Sequence, residues 1–403
     1  MQRVVRIAIG VLSLTLAWRG DVAAQAPPQP PSQSGPVPPY SAVNWSWCDE
    51  VDPGGWVRFE YLNLSVKSAT LPAPLATTGG SAGQGRLNAP DTTILLGEPP
   101  GFGVVPGGRL TVGGWAGGEE EILGGEFTAF VTALRATHFN VASQGADAPL
   151  LAVPFANVTP NGVHESSLVV AQAGVRSGQI GLDDAMVLGG MECSALLSLT
   201  DFVPGDRIRL NLLGGIGFFV LNERMHFVSN SVDTLGVATA HSDVFLTENA
   251  FFGGDFGARG SFRWRRFLID LTGRSGVGVN TPTVAIAGQN GLPFYLPRPN
   301  HLAPEGFFAQ PSNVGRFWAH NSFAVVPNAQ FHVGYDLTQR LRLTVGYEAL
   351  LWTRVLRAGD QLDRAINLSQ ATGPLVGPAS PAAQAKSSTF WAQGFTTGLQ
   401  WNF

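Results

Sequence analysis

The chain is poor in charge, in lysine, in cysteine and in long apolar runs, and each shortage removes a class of protein. Charged residues make up 13 % of its 403 positions, roughly half of the ~25 % usual in a soluble domain. They divide into 25 Lys+Arg and 29 Asp+Glu, a net charge of −4. That balance excludes a highly charged disordered chain and a basic nucleic-acid binder, and it fits a cytosolic enzyme surface poorly. Lys67 and Lys386 are the only lysines, so arginine carries nearly all the positive charge. Cys48 and Cys193 are too few for a disulfide framework, and no bond between them is expected. Downstream of the N-terminus nothing approaches the ~18 uninterrupted apolar residues of a membrane helix. A membrane location would have to be built from strands. Glycine, by contrast, is abundant at 50 residues, and hydrophobic content is an ordinary 44 %.

The N-terminus reads as an export signal. Arg3 and Arg6 precede an apolar stretch from Ile7 to Ala17, and Val22-Ala23-Ala24 supplies small residues for cleavage after Ala24. Residues 1–24 are therefore expected to be a signal peptide. Residues 25–47, rich in Pro, Gln and Ser, are expected to be an extended linker, and 48–403 the folded body.

Within that body the hydrophobic period is 2. In Arg340–Val355, Leu341, Leu343, Val345, Tyr347 and Leu351 alternate with Arg342, Thr344, Glu348 and Arg354. In Phe267–Asn280, Phe267, Ile269 and Leu271 alternate with Asp270, Thr272 and Arg274. A helix would place these charges on every side, whereas a strand sorts them onto one face. The pattern predicts about ten strands, near 54–66, 108–116, 122–139, 186–199, 206–224, 249–263, 266–280, 322–336, 340–355 and 389–402. Their connections alternate strictly between short and long. An all-β, up-and-down antiparallel transmembrane barrel with short periplasmic turns and long external loops predicts that rhythm; Greek-key sandwiches do not. The last strand sets Phe395, Leu399, Trp401 and Phe403 on one face. A free aromatic-rich edge is a liability in water, and closing a barrel removes it.

Six segments carry a resemblance: Phe251–Gly257, Pro311–Gly315, Phe323–Pro327, Leu341–Tyr347, Arg357–Asp363 and Phe390–Gly394. Together they resemble a bacterial outer-membrane family known as β-barrel protein family seven. The resemblance implies an outer-membrane location and a porin-like barrel, and it carries no catalytic residues. Phe395, Leu399, Trp401 and Phe403 further resemble the C-terminal signal read by the barrel assembly machinery, an expected partner alongside outer-membrane lipid.

If the apolar faces meet lipid, the inward phase collects Arg58, Glu60, Glu126, Glu192, Arg207, Arg209, Glu223, Asp255, Arg259, Asp270, Arg274, Arg342, Glu348 and Arg354. Such a lumen either pairs its charges, since an unpaired buried charge costs several kcal/mol, or lines a pore that sorts small solutes. Trp56, Trp115, Trp264 and Trp401 fall at strand ends, where they are expected to anchor the barrel at the headgroups. Recognisable catalytic motifs are lacking: there is no G-x-S-x-G elbow between a strand and a helix, no H-E-x-x-H and no C-x-x-C. Glu119-Glu120-Glu121 reads as a solvated turn, and His332 as a hydrogen-bonded lumen residue. No enzyme, metal, cofactor or nucleic-acid partner is expected. The alternative to a passive barrel is recognition through the external loops at 67–107, 140–185 and 281–321.

Overall fold

The computed structural model describes residues 54–116, 122–145, 148–200, 207–291, 306–372 and 374–403. The expected signal and linker segments lie outside the described residues, as do Cys48, Glu119-Glu120-Glu121 and His301. In chain order the strands are β1 (Gly55–Val66), β2 (Ala76–Thr78), β3 (Thr93–Leu96), β4 (Val104–Ala116), β5 (Leu123–Thr132), β6 (Arg135–Ser143), β7 (Leu151–Thr159), β8 (Gly162–Ala171) and β9 (Arg176–Ser198). They continue as β10 (Ile208–Asp233), β11 (Ala238–Trp264), β12 (Phe267–Gly291), β13 (Gly315–Trp318), β14 (Ser322–Asp336), β15 (Leu341–Leu356), β16 (Ala365–Ile366) and β17 (Ser387–Asn402).

Ten of these close a ring in the order β1-β4-β5-β9-β10-β11-β12-β14-β15-β17, sealed where β17 pairs with β1. Every seam of the ring is antiparallel. The terminal strand thus loses its free edge, as its aromatic alternation predicts. Phe395, Leu399, Trp401 and Phe403 all point outward and exposed. So do Phe59, Ile216, Phe256, Leu271, Phe323 and Phe331, forming the apolar belt expected of a barrel in hydrocarbon.

Strand length departs from expectation. β9, β10, β11 and β12 run for 23, 26, 27 and 25 residues. At ~3.3 Å per residue, 25 residues reach about 80 Å, far beyond a ~30 Å hydrocarbon core even when tilted. The alternation inverts where the strands leave the belt. On β10 the lower outward residues are Ile208, Leu210, Leu212 and Ile216, with Arg209 and Asn211 inside; higher up, Leu221, Met225 and Phe227 are inside and Arg224 is exposed. Lipid surrounds the lower part and water the upper part, so the apolar side changes face. A search for one constant apolar face therefore ends each strand early.

The expected strand at 122–139 is two strands. Both lie along the same edge of β9: β5 beside its membrane half and β6 beside its projecting half. The long loops also contain structure of their own, a five-stranded sheet in which β7 joins β2, β8 and β16, and β2 joins β3. Its apolar residues pack with the projecting strands into one core, including Leu151, Phe155, Ile180, Phe227, Phe245, Phe307 and Phe308. This assembly caps the barrel on the side away from the short turns.

Candidate functional site: the barrel interior

Inward side chains of the membrane-spanning part divide into layers. Nearest the short turns is a vestibule of about 100 Å³ lined by Trp56, Trp115, Arg209, Arg259, Asp270 and Arg342, among others. Trp56 and Trp115 are turned into this mouth, their ring centroids 6.2 Å apart, and the Arg209 guanidinium lies 3.8 Å over the Trp115 ring. The expectation that these two tryptophans anchor the barrel in the headgroups is corrected: the even positions of β1 face inward, and Trp56 shares that phase with Arg58 and Glu60. Trp264 and Trp401 do face outward, exposed.

Above the vestibule the charges pair across the lumen. Arg259 grips Glu126 with both terminal nitrogens, at 2.9 and 2.8 Å, while its Nε donates to Thr272. Arg274 lies 2.8 Å from Glu192, 3.6 Å from Asp255 and 3.8 Å from Glu126. Glu60 is fully buried among Arg58 at 3.4 Å, Arg109 at 3.6 Å and His332 at 3.0 Å, and Arg109 also binds Glu348. Arg342 pairs with Asp336 at the lower rim, 2.6 Å away. Planar guanidinium forks suit such bidentate contacts, which is why arginine does this work rather than lysine.

Two residues assigned to the lumen lie elsewhere. Arg207 is exposed at the end of the barrel, just before β10 begins. Arg354 is exposed because β15 bulges between Trp352 and Val355, changing the phase of the strand, and it sits at φ 57°. Glu223 faces inward but above the main network, where Arg357 binds it at 2.6 Å and the Ala358 amide donates to its other oxygen. Arg109 and Arg357 were missed. Arg109 has the inward phase of its strand, flanked by glycines that dilute the alternation; Arg357 belongs to a loop that folds back on the barrel, which periodicity does not see.

Between the lower network and the Glu223–Arg357 pair lies an apolar septum. Phe219, Phe251 and Trp352 meet there with centroids 5.9–6.3 Å apart, packed with Leu62, Leu188, Val326 and Phe390 in one buried cluster. Close approach is built in at Gly190, where a Cβ would come within 2.5 Å of Phe219 and 2.7 Å of Phe130. Gly346 likewise leaves room for the His332 ring, 2.3 Å from where its Cβ would be. The septum residues belong to the same strands as the network, so the ring itself carries both.

A closed antiparallel ring with an apolar outer belt and a polar, arginine-rich interior defines an integral β-barrel of the outer membrane. Residues 56–403 match the family described as "Putative beta barrel porin-7 (BBP7)", and the chain belongs to that family. No curated protein matches it in sequence. Among solved structures it is similar to the outer membrane protease OmpT from Escherichia coli, at 9 % identity over 88 % of this chain and 100 % of that one, with a TM-score of 0.35. It is also similar to an anion-selective porin from Comamonas acidovorans, at 10 % identity over 87 % and 100 % of the two chains, with a TM-score of 0.13.

Proposed function

We propose that this porin-like barrel is closed at rest and works passively, as a filled transmembrane platform for its extracellular cap. The observation that carries the reading is the Phe219–Phe251–Trp352 septum, buried between two polar layers. A solute crossing the barrel would have to displace aromatic packing and separate ion pairs, including the double Arg259–Glu126 contact. Lumens of small barrels are commonly filled in this way. The charged inward residues then form a structural network, and small solutes are not cargo of the resting state. A second reading, recognition through the loops, is supported by apolar side chains exposed in the extracellular part: Ile94, Val163, Leu235 and Val376. Assembly through the outward C-terminal Phe395, Leu399, Trp401 and Phe403 belongs to the same proposal.

Planar-bilayer recording with the folded protein tests the closed state. Silence at neutral pH is the expected result, and reproducible conductance steps from the unmodified chain would overturn it.

A further inference from the structure

The outward face of the projecting strands carries chemistry that the lumen does not use. Asp183 on β9 stands directly opposite His226 on β10. His226 stands opposite Val244 on β11, two residues from Ser242 on the same face. Ser242 Oγ lies 2.8 Å from His226 Nε2. The other ring nitrogen, Nδ1, faces Asp183 Oδ2 at 3.8 Å, while Asp183 Oδ1 holds His138 Nδ1 at 2.7 Å. Hydroxyl, Nε2, Nδ1 and carboxylate follow one another in the order that activates a serine nucleophile. The three residues come from three separate strands, so no sequence motif marks them.

We propose that Ser242, His226 and Asp183 form a hydrolytic site for carboxylic esters on the extracellular face of the barrel. His226 lies beyond the exposed Arg224, clear of the apolar belt. Burial and the Arg224 cation lower its affinity for protons, with Asp183 opposing them. At neutral pH the imidazole is therefore neutral, and Nε2 is free to take the serine proton. The Asp183 contact is longer than a hydrogen bond; such contacts commonly tighten only when substrate is bound. Gln289 stands opposite Ser242 on β12, and Asn230 lies diagonally across from it on β10. Both amide side chains belong to positions that neighbour Ser242 on the same face of the sheet. An open sheet face suits an ester with a small acyl group, presented on an extended or flexible chain.

In the first step Ser242 Oγ bonds to the ester carbonyl carbon while its proton passes to His226 Nε2. The carbon–oxygen bond to the alcohol then breaks, and Nε2 returns the proton to the departing alkoxide. Acyl-Ser242 and free alcohol remain. Water repeats the sequence, donating its proton through Nε2, and releases the carboxylic acid with the serine hydroxyl restored.

The test uses the full folded chain in detergent, with p-nitrophenyl acetate as substrate and a fluorophosphonate as covalent probe. Hydrolysis is expected to fall about 100-fold or more in Ser242→Ala and in His226→Ala, the usual scale of general-base catalysis. Mass spectrometry is expected to place the phosphonate on Ser242, and Asp183→Asn to lower turnover without abolishing labelling. All three substitutions face outward, and heat-modifiable gel mobility reports whether each barrel is folded. Equal hydrolysis by folded wild type and folded Ser242→Ala, or a probe that leaves Ser242 unlabelled, overturns the proposal. Neither result bears on the closed lumen, which is read by conductance.

Discussion

His332 Nε2 lies 3.0 Å from Glu60 Oε1, although β14 and β1 are separated in the ring by β15 and β17. The contact therefore crosses the lumen instead of following the sheet. Glu60 also faces Arg58 and Arg109, and Thr396 approaches it at 3.5 Å. Four strands thus converge on one carboxylate.

Removing that carboxylate leaves two guanidinium groups buried without their shared partner. Glu60→Ala is expected to destabilise the folded barrel by about 3–5 kcal/mol, the usual cost of breaking a buried charge pair from one side. A variant chain that still folds would show a lower unfolding temperature by heat-modifiable mobility on gels. An unchanged transition would mean that the network contributes nothing to holding the ring together.

The septum makes a separate prediction, because its packing is apolar and its loss opens space instead of stranding charge. Trp352→Ala and Phe219→Ala each remove a fully or nearly fully buried ring, at about 3–5 kcal/mol apiece. The double variant is expected to pass ions in planar bilayers where the parent is silent. Without conductance from a folded double variant, the seal would have to lie in the charged layer below or in the cap above.

Asp184 supplies a pH dependence outside the membrane-spanning part. Its carboxylate is buried on β9, and burial, with Glu223 adding to it and Arg357 and the Ala185 amide opposing, pushes its pKa from 3.8 up to about 8. A raised carboxylate pKa means that the folded state holds a proton the unfolded chain gives up. The associated stability is fully present below the ordinary carboxylate range and is lost as pH rises through 8. Once the intrinsic rise of amide exchange with pH is divided out, protection of the cap is expected to fall between about pH 4 and 8, and Asp184→Asn, neutral throughout, to lose that fall. Identical profiles for the two chains would refute it.

The barrel was legible because hydrocarbon imposes one rule on every strand that crosses it. Ile269, Leu341 and Phe331 had to face out, and Asp270, Arg342 and Gln330 had to face in, whatever their partners were. The extracellular half was less legible. There water wets the outer face, and the inner face meets loop segments such as Phe307-Phe308, whose arrival no local period announces. Asp243 illustrates this: buried on β11, it accepts hydrogen bonds from the amides of Phe307, Phe308 and Ala309, more than sixty residues away. The lumen residues were recoverable by phase except where the backbone changes phase, as at Arg354, where the position lies outside the strand, as at Arg207, and where glycines dilute the alternation, as at Arg109.

That bulge yields the last prediction. Arg354 has φ 57°, a left-handed conformation that costs a residue with a Cβ roughly 1–2 kcal/mol and glycine almost nothing. Its side chain is exposed, so replacing it removes no buried partner. Its carbonyl accepts a hydrogen bond from Asn280 at 2.9 Å, and a glycine backbone keeps that bond. Glycine gives back part of the gain because the unfolded chain becomes more flexible. Arg354→Gly is therefore expected to leave the barrel at least as stable as the parent, by up to about 1 kcal/mol, whereas Arg354→Val should destabilise it. The comparison is read from unfolding temperatures of the two variants side by side. If valine proves as well tolerated as glycine, the bulge is not held in the left-handed region, and Arg354 is free to return to the lumen phase that its position in the alternation predicts.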